Sequence, residues 1–215
     1  MIPLLSDADK ELIYKLAEEL VGSCQDGAHK RNVIVDNVVR RMTVHGCDAL
    51  NGYLEFAVND GVELNELMSA LTIHLTGWFR ELPHYEMLDK YLRDEKKVHH
   101  GTKVDFKLLS AACSTGEEIW SFGLVLEDLR MKYDGLNYQI EGRDIDPVSV
   151  QKSARAIYDV KELEHIPRQY RKYLLYGKGK TAGLMSVKKE IRNRAVHAAR
   201  SLLESDFNCR ERFDI

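Results

Sequence analysis

Cysteine is scarce and scattered. Cys24, Cys47, Cys113 and Cys209 stand far apart, with no CxxC pair and no Cys/His ligand spacing. That argues against a zinc site or a disulfide framework and for reduced thiols. Long apolar runs are also missing: none approaches the roughly 20 residues that a membrane-spanning helix needs. The opening "MIPLLSDADKEL" has neither the basic region nor the apolar core of a signal peptide, so the expected location is cytoplasmic. Repeats and low-complexity segments are absent. So is an overall charge of one sign, since the net charge of −3 over 215 residues gives no global signal for a nucleic-acid or membrane partner. The charge is nevertheless uneven. Lys161 to Arg200 holds eleven Lys/Arg against three Glu, a local excess that needs an explanation.

The hydrophobic pattern changes period along the chain. "SDADKELIYKLAEELVGS" offers Ser6 and Asp7 as caps, Leu12, Ile13, Leu16 and Leu20 at helical spacing, and Gly22 as a stop. "HKRNVIVDNVVRRMTVHG" sets Ile34, Val38 and Met42 on one face and ends at Gly46. "DALNGYLEFAVND" and "ELNELMSALTIHL" complete a helical bundle, and "ELPHYEMLDKYLRDEKK" predicts a connecting helix. Beyond it, "DFKLLSAA" and "NYQIEGRDID" read as strands, separated by the helix "EEIWSFGLVLEDLRMKY". "PVSVQKSARAIYD" predicts a further helix, opened by Pro147. Strand, helix, strand, helix in this order argues for a parallel sheet with right-handed crossovers. The closing "RFDI" reads as the start of another buried strand. A sheet ending there lacks covering helices, so a truncated chain or part of a longer one is expected.

Two features fall at strand ends, where open α/β sheets bind ligands. The turn "SAACSTGEE" carries Ser114, Thr115 and a lone Gly116 into a helix N-terminus, and "GRDID" ends the next strand with Asp144 and Asp146. An acidic residue there suits the hydroxyls of a ribose. The turn is not GxGxxG, however, and Glu117 and Glu118 would repel the phosphates of a dinucleotide. A cofactor with a cationic centre, a ribose and no phosphate fits this pattern, and S-adenosylmethionine is such a cofactor. On this reading Gly116 lets the backbone pass close to a methionine-like tail. Ordinary structural roles remain open for these residues: acidic first-turn positions stabilise a helix dipole, and Asp before Pro147 is a common N-cap.

"SAACSTGEE" followed by "GRDIDPVSVQKSARAIYD" resembles the chemotaxis-receptor glutamate O-methyltransferases, the CheR family. "LTIHLTGWFRE" is similar to that family's linking stretch and "HKRNVIVDNVVRRMTVHG" to its basic N-terminal helix, so the resemblance runs through nearly the whole chain in order. It implies a Rossmann-like methyltransferase domain, α/β with a mostly parallel sheet and a small β insertion, preceded by an all-α N-terminal domain. The implied boundaries are 1–78 for the helical domain, 79–103 for a linker helix and loop, and 104–215 for the methyltransferase domain, with a basic β-subdomain at 161–198. The implied activity is methyl transfer from S-adenosylmethionine to glutamates on the cytoplasmic helices of chemoreceptors, by a monomer.

By motif position the resemblance puts Thr76 and Arg80 at the cofactor site, Arg80 also being the candidate catalytic residue. A structural ion pair is the alternative role for Arg80. The resemblance further sets Ala112 and Glu118 against the methionine moiety, Asp144 and Ile145 against ribose and adenine, and Ser201 and Leu202 beside the adenine. Lys30, Arg31, Arg40 and Arg41 would meet acidic receptor helices, although a solvated helix face has the same charge pattern. "YGKGKTAGLMSVKK", with Gly177, Gly179 and Gly183, resembles the β-subdomain of members that dock a receptor's C-terminal pentapeptide. Arg171, Lys188 and Arg192 are its candidates for gripping a peptide carboxylate. No metal is implied, and no triad is expected from Ser114, His74 or Cys113.

The chain departs from the family at several positions. Ile73 and His74 stand for Thr and Asn, Trp78 for Phe, Ile119 for Pro, Arg143 for a small residue and Ser201 for Asn. The family's Cys-Arg-Asn strand follows "FDI", whereas Cys209-Arg210 precedes it and reads as loop. A non-catalytic cofactor- or peptide-binding relative is the second reading. A nucleic-acid methyltransferase is a third, without an aromatic-rich target-base motif behind it.

Overall fold

The computed structural model describes residues 3–22, 28–72, 76–96, 102–202 and 213–215. Ile73, His74, Cys24 and the Cys209-Arg210 loop lie outside the described residues. Contacts divide the chain into two units: Met1–His74 with Ile145–Val148, and Leu75–Asp144 with Ser149–Ile215.

The first unit is helical: α1 (Asp7–Val21), α2 (Ala28–Val44), α3 (Leu50–Asn59) and α4 (Gly61–Leu71). Each end has a local cause. Ser6 caps α1, its hydroxyl accepting from the Asp9 N–H while the Asp9 carboxylate accepts from the Ser6 N–H. Gly22 ends α1 in the left-handed conformation (φ 64°). Asp60 caps α4 through the N–H groups of Val62 and Glu63. The helical stripes meet in one core, with Ile13 and Ala17 against Ile34, Val38, Met42, Tyr53, Leu67 and Leu71.

The second unit opens with α5 (Leu82–Asp94), which has Pro83 in its first turn and buries Tyr85, Leu88 and Leu92. There follow β1 (Val104–Ala111), α6 (Glu117–Lys132), β2 (Leu136–Asp144), α7 (Pro147–Arg155), β3 (Ile157–Asp159), β4 (Leu174–Tyr176), β5 (Leu184–Val187) and β6 (Ala195–Ala199). β1, β2 and β6 form a parallel sheet in that order. β3, β5 and β4 form a small antiparallel one. The parallel sheet buries Phe106, Leu108, Tyr138 and Ile140 in the same core as Ile119, Trp120 and Leu124 of α6. The fold is therefore α/β and Rossmann-like, with an antiparallel insertion and an N-terminal helical region.

Three elements differ from the sequence pattern. The pattern carries α7 through Asp159, but the helix stops at Arg155, because Ala156 takes φ 53° and Ile157–Asp159 pairs with β5. The antiparallel strands consequently begin at Ile157 and end at Val187. β6, where the pattern predicts no strand, joins β2 instead. Of the "RFDI" segment, expected to start a buried strand, Phe213–Ile215 are described; they form no strand and Ile215 is exposed, although the Asp214 N–H donates to the Lys107 carbonyl at 2.8 Å and the Leu109 N–H to the Ile215 carbonyl at 2.9 Å. Beside it the Arg143 guanidinium lies over the Phe213 ring (5.5 Å) and pairs with Glu141, which accounts for a large residue at that position. Among the described residues no helix is long and apolar enough to cross a membrane.

Candidate functional site

The parallel register brings three carboxyl ends to one edge, since Ala111 lies beside Arg143 and Asp144 beside Ala199. The turn leaving β1 at this edge is strained. Ala112 (φ 63°) and Ser114 (φ 48°) are left-handed without being glycine, each at a cost of about 1–3 kcal/mol. Several bonds hold them there. The Cys113 N–H donates to the Arg143 carbonyl (2.9 Å) and the Ser114 N–H to Asp144 Oδ2 (2.7 Å). The Tyr158 hydroxyl donates to the Thr115 carbonyl (2.8 Å).

Gly116 packs closely against α7. A β-carbon on it would lie 2.2 Å from Ser153 Oγ and 2.8 Å from Ser153 Cα. The missing side chain is therefore filled by α7, and glycine is required for helix–turn packing. The Ser153 hydroxyl itself is buried without a hydrogen-bond partner among the described residues.

The two first-turn carboxylates diverge. Glu117 is buried and accepts from its neighbour Thr115 Oγ1 (2.6 Å), whereas Glu118 is exposed and accepts from Ser110 Oγ (2.7 Å). Asp144 is buried with one oxygen on the turn. Its carbonyl accepts from the Arg200 N–H (2.8 Å), which brings Ser201 and Leu202 to the same edge. Ile145, half-buried, is the next residue in the chain. Burial, and then the charge of Asp144, pushes the Cys113 thiol up to about 12, so it is no nucleophile at neutral pH.

Thr76 is half-buried and Arg80 exposed. Phe79, beside Arg80, donates its N–H to Ser121 Oγ (3.0 Å), and Ser121 donates to the Glu117 carbonyl (2.6 Å). The Arg80 segment is thereby fixed to the first turns of α6. Ala112, Glu118 and Asp144 thus lie at the strand-end edge, with Ser201 next in the chain after Arg200, and Arg80 follows the residue bonded to Ser121 of α6.

The basic candidates are more dispersed. Lys30, Arg31 and Arg40 are exposed on α2, with Arg31 over the Tyr14 ring at 5.1 Å. Arg41 is instead turned into its own unit, paired with buried Glu63 and with Glu66 (3.4 Å). Arg171 donates to the Ile166 carbonyl (2.8 Å), and the Lys188 N–H donates to the Tyr173 carbonyl (3.0 Å). Arg192 lies on a single helical turn (Lys189–Arg192) whose Ile191 packs on Gly123 of α6, and its Nε is buried without a hydrogen-bond partner among the described residues. These three are not gathered on the β4–β5 hairpin.

Sequence reasoning missed Ser110, Ser121, Ser153, Tyr158 and Glu162. Only Tyr158 had a usable signal, because Ile157–Tyr158 is a β-branched and aromatic pair inside a run that reads as helix. A cavity of about 520 Å³ lies elsewhere, lined by Met87, Leu88, Tyr91, Phe122 and Ile215 together with His84, Lys90, Asp94 and Glu95. Among the described residues no cluster of His, Cys, Asp and Glu could hold a metal ion.

A family model described as CheR methyltransferase, SAM binding domain, matches residues 74–215. The chain is 32% identical over 213 residues to the chemotaxis protein methyltransferase of Salmonella typhimurium, which covers 98% of this chain and 71% of that protein. It is 29% identical over 217 residues to the Escherichia coli chemotaxis protein methyltransferase, again covering 98% and 71%. Chemotaxis protein methyltransferase 2 of Pseudomonas aeruginosa is 27% identical over 180 residues, 83% of this chain and 62% of that protein. A turn, a neighbouring acidic strand end and the matched residues 74–215 lead to one assignment: the chain belongs to the CheR methyltransferase family.

Proposed function

We propose that this chain binds S-adenosylmethionine at the carboxyl edge of its parallel sheet and methylates glutamate side chains on the cytoplasmic helices of a chemoreceptor. The observation that carries the reading is the turn itself. The turn holds a single glycine, packed closely on Ser153, and two carboxylates follow in the first turn of the helix. Such a donor set suits a cationic, phosphate-free cofactor.

In this reading Ala112 and Glu118 lie against the methionine moiety, Asp144 and Ile145 take the ribose and adenine, and Ser201 and Leu202 flank the adenine. Thr76 and Arg80 close the site from the preceding segment. When bound, S-adenosylmethionine supplies a sulfonium methyl whose carbon–sulfur bond breaks as a glutamate oxygen bonds to the carbon, releasing a neutral thioether. The substrate carboxylate is ionised near neutral pH and needs no base. Arg80 orients it bidentately, and the protein's remaining task is alignment and the exclusion of water.

The proposed division of labour gives residues 1–78 the receptor helices, 79–103 the link and 104–215 the chemistry, in a monomer. Lys30, Arg31 and Arg40 supply the exposed basic surface of α2. Arg171, Lys188 and Arg192 remain the candidates for a receptor's C-terminal peptide, in the basic stretch 161–198.

Calorimetry with S-adenosylhomocysteine, followed by transfer of a labelled methyl group to receptor-containing membranes, tests this reading. Asp144→Ala is expected to weaken cofactor binding at least about tenfold, through loss of a charge-assisted hydrogen bond. Binding without transfer would leave a non-catalytic binding module. No binding by the parent chain would overturn the reading altogether.

A further inference from the structure

Arg80 is carried by a strained neighbour. Phe79 takes φ 51°, an outlying conformation for a bulky residue, and such strain persists only where the surroundings impose it. Those surroundings can be named. Besides its N–H bond to Ser121, Phe79 stacks on Tyr170 (ring centroids 5.1 Å, planes 8° apart) and leans on Tyr85 (5.0 Å). Trp78 sets its ring edge-on to Tyr158 (5.0 Å, 78°) and donates its indole N–H to Glu162 Oε2 at 2.8 Å.

Tyr158, Glu162 and Tyr170 all come from β3 and the two short 3-10 turns after it, Val160–His165 and Arg168–Tyr173. None comes from the parallel sheet. Tyr158 also bonds the Thr115 carbonyl, so a single strand touches both the turn after β1 and the segment bearing Arg80. We propose that β3 and the 3-10 turns after it form the framework that positions Arg80, with Glu162 as a positioning residue acting through the Trp78 indole. This inference rests on the reading of Arg80 as a cofactor-site residue.

The pairing of Trp78 with Glu162 gives the inference its chemical content. Phenylalanine at position 78 could make the same ring contact with Tyr158 and would bring no donor. Tryptophan adds an N–H on a residue that is only 5% exposed, and burial without an acceptor is costly. Glu162, half-buried, supplies a charged acceptor, the stronger kind. The aromatic contacts fix the ring planes and this bond fixes the rotation of Trp78, one residue before the strained Phe79. Since a small misplacement of a binding group is costly at a preorganised site, release of the bond reaches Arg80.

The test is calorimetry with S-adenosylhomocysteine on the full chain, with a thermal melt of each variant. Glu162→Ala is expected to weaken binding about fivefold to tenfold, less than the full loss of one charge-assisted bond because Glu162 acts on Arg80 only through Trp78. Glu162→Gln keeps a carbonyl acceptor and is expected to stay within about twofold of the parent. Trp78→Phe combined with Glu162→Ala is expected to bind as weakly as Glu162→Ala alone, because the pair is already broken. Should Glu162→Ala unfold, Glu162→Gln and Trp78→Phe carry the comparison. Parent-like affinity in Glu162→Ala, with or without a lower melting temperature, overturns the inference, as does failure of Glu162→Gln to rescue. Arg80→Ala separates the two levels: if it binds as the parent does, the cofactor-site reading of Arg80 fails, and the inference with it.

Discussion

A β-carbon at position 116 would meet Ser153 at its Oγ, Cβ and Cα, at 2.2, 2.7 and 2.8 Å. The backbone there also has φ 98°, which side chains other than glycine's rarely adopt. Gly116→Ala is therefore expected to destabilise the chain by at least about 3 kcal/mol, overpacking and backbone strain combined. Urea unfolding checks it. Adding Ser153→Gly removes the two side-chain clashes but leaves the clash with the backbone of residue 153 and the strained φ, so only part of the loss should return. If Gly116→Ala unfolds at the parent's urea concentration, the packing role is wrong. The sequence marked this glycine as important, but its packing on Ser153 was not legible, because Ser153 is 37 residues downstream and becomes a neighbour only through the fold. The acidity of the turn was legible for the opposite reason: Glu117 and Glu118 are adjacent in the chain to the helix they begin.

Between elements, a polar tie in the helical unit joins α2, α3 and α4. Glu63 is 3% exposed and accepts from Tyr53 of α3 (2.6 Å), from His45 (2.8 Å) and from Arg41 of α2. Burial alone would raise its carboxyl, but the hydrogen bonds from Arg41, Tyr53 and His45 outweigh burial and hold it at about 2, below the ordinary 4.5. A carboxylate depressed on folding contributes stability that is fully present above 4.5 and lost as pH falls toward 2. The loss expected across that window is about 3 kcal/mol, from the linkage of pKa to stability. Glu127 is depressed too, burial being outweighed by Arg130 and Tyr138, so the parent's acid slope is a sum. The readout is the difference: melting temperature against pH should fall less steeply between pH 5 and pH 2 in Glu63→Gln, and equal slopes would refute the tie. The helices that carry this network were readable from their stripes and caps, as were β1, α6 and β2 from the change of period. β3 and β6 were not. β3 is only three residues long, and its pairing with β5 overrode a helical pattern that ran through it. β6, "AVHAA", has too little β-branched or aromatic character to stand out, and what makes it a strand is the open edge of β2.

Over the whole chain a net charge of −3 conceals two basic regions, one on α2 and one over residues 161–200. On α2, Lys30, Arg31 and Arg40 are exposed while Arg41 is spent on Glu63, a distinction that residue type and spacing could not make. Exposed charge acts at a distance, so under the proposed function it bears on the rate of encounter with an acidic receptor surface more than on the stability of the chain. The joint reversal Lys30→Glu, Arg31→Glu, Arg40→Glu is expected to lower kcat/KM for receptor membranes about tenfold or more at low ionic strength, the scale of electrostatic steering. The gap should close as salt shortens the screening length below about 10 Å. Affinity for S-adenosylhomocysteine should stay near the parent's, and the melting temperature should fall only slightly, through loss of the Arg31–Tyr14 contact, because none of the three side chains is buried. Arg41→Ala should do the reverse, lowering the melting temperature through loss of a bond to a buried carboxylate and showing little dependence on salt. A triple reversal that left the rate and its salt dependence unchanged would remove α2 from the receptor-facing surface and return its charges to the role of an ordinary solvated helix face.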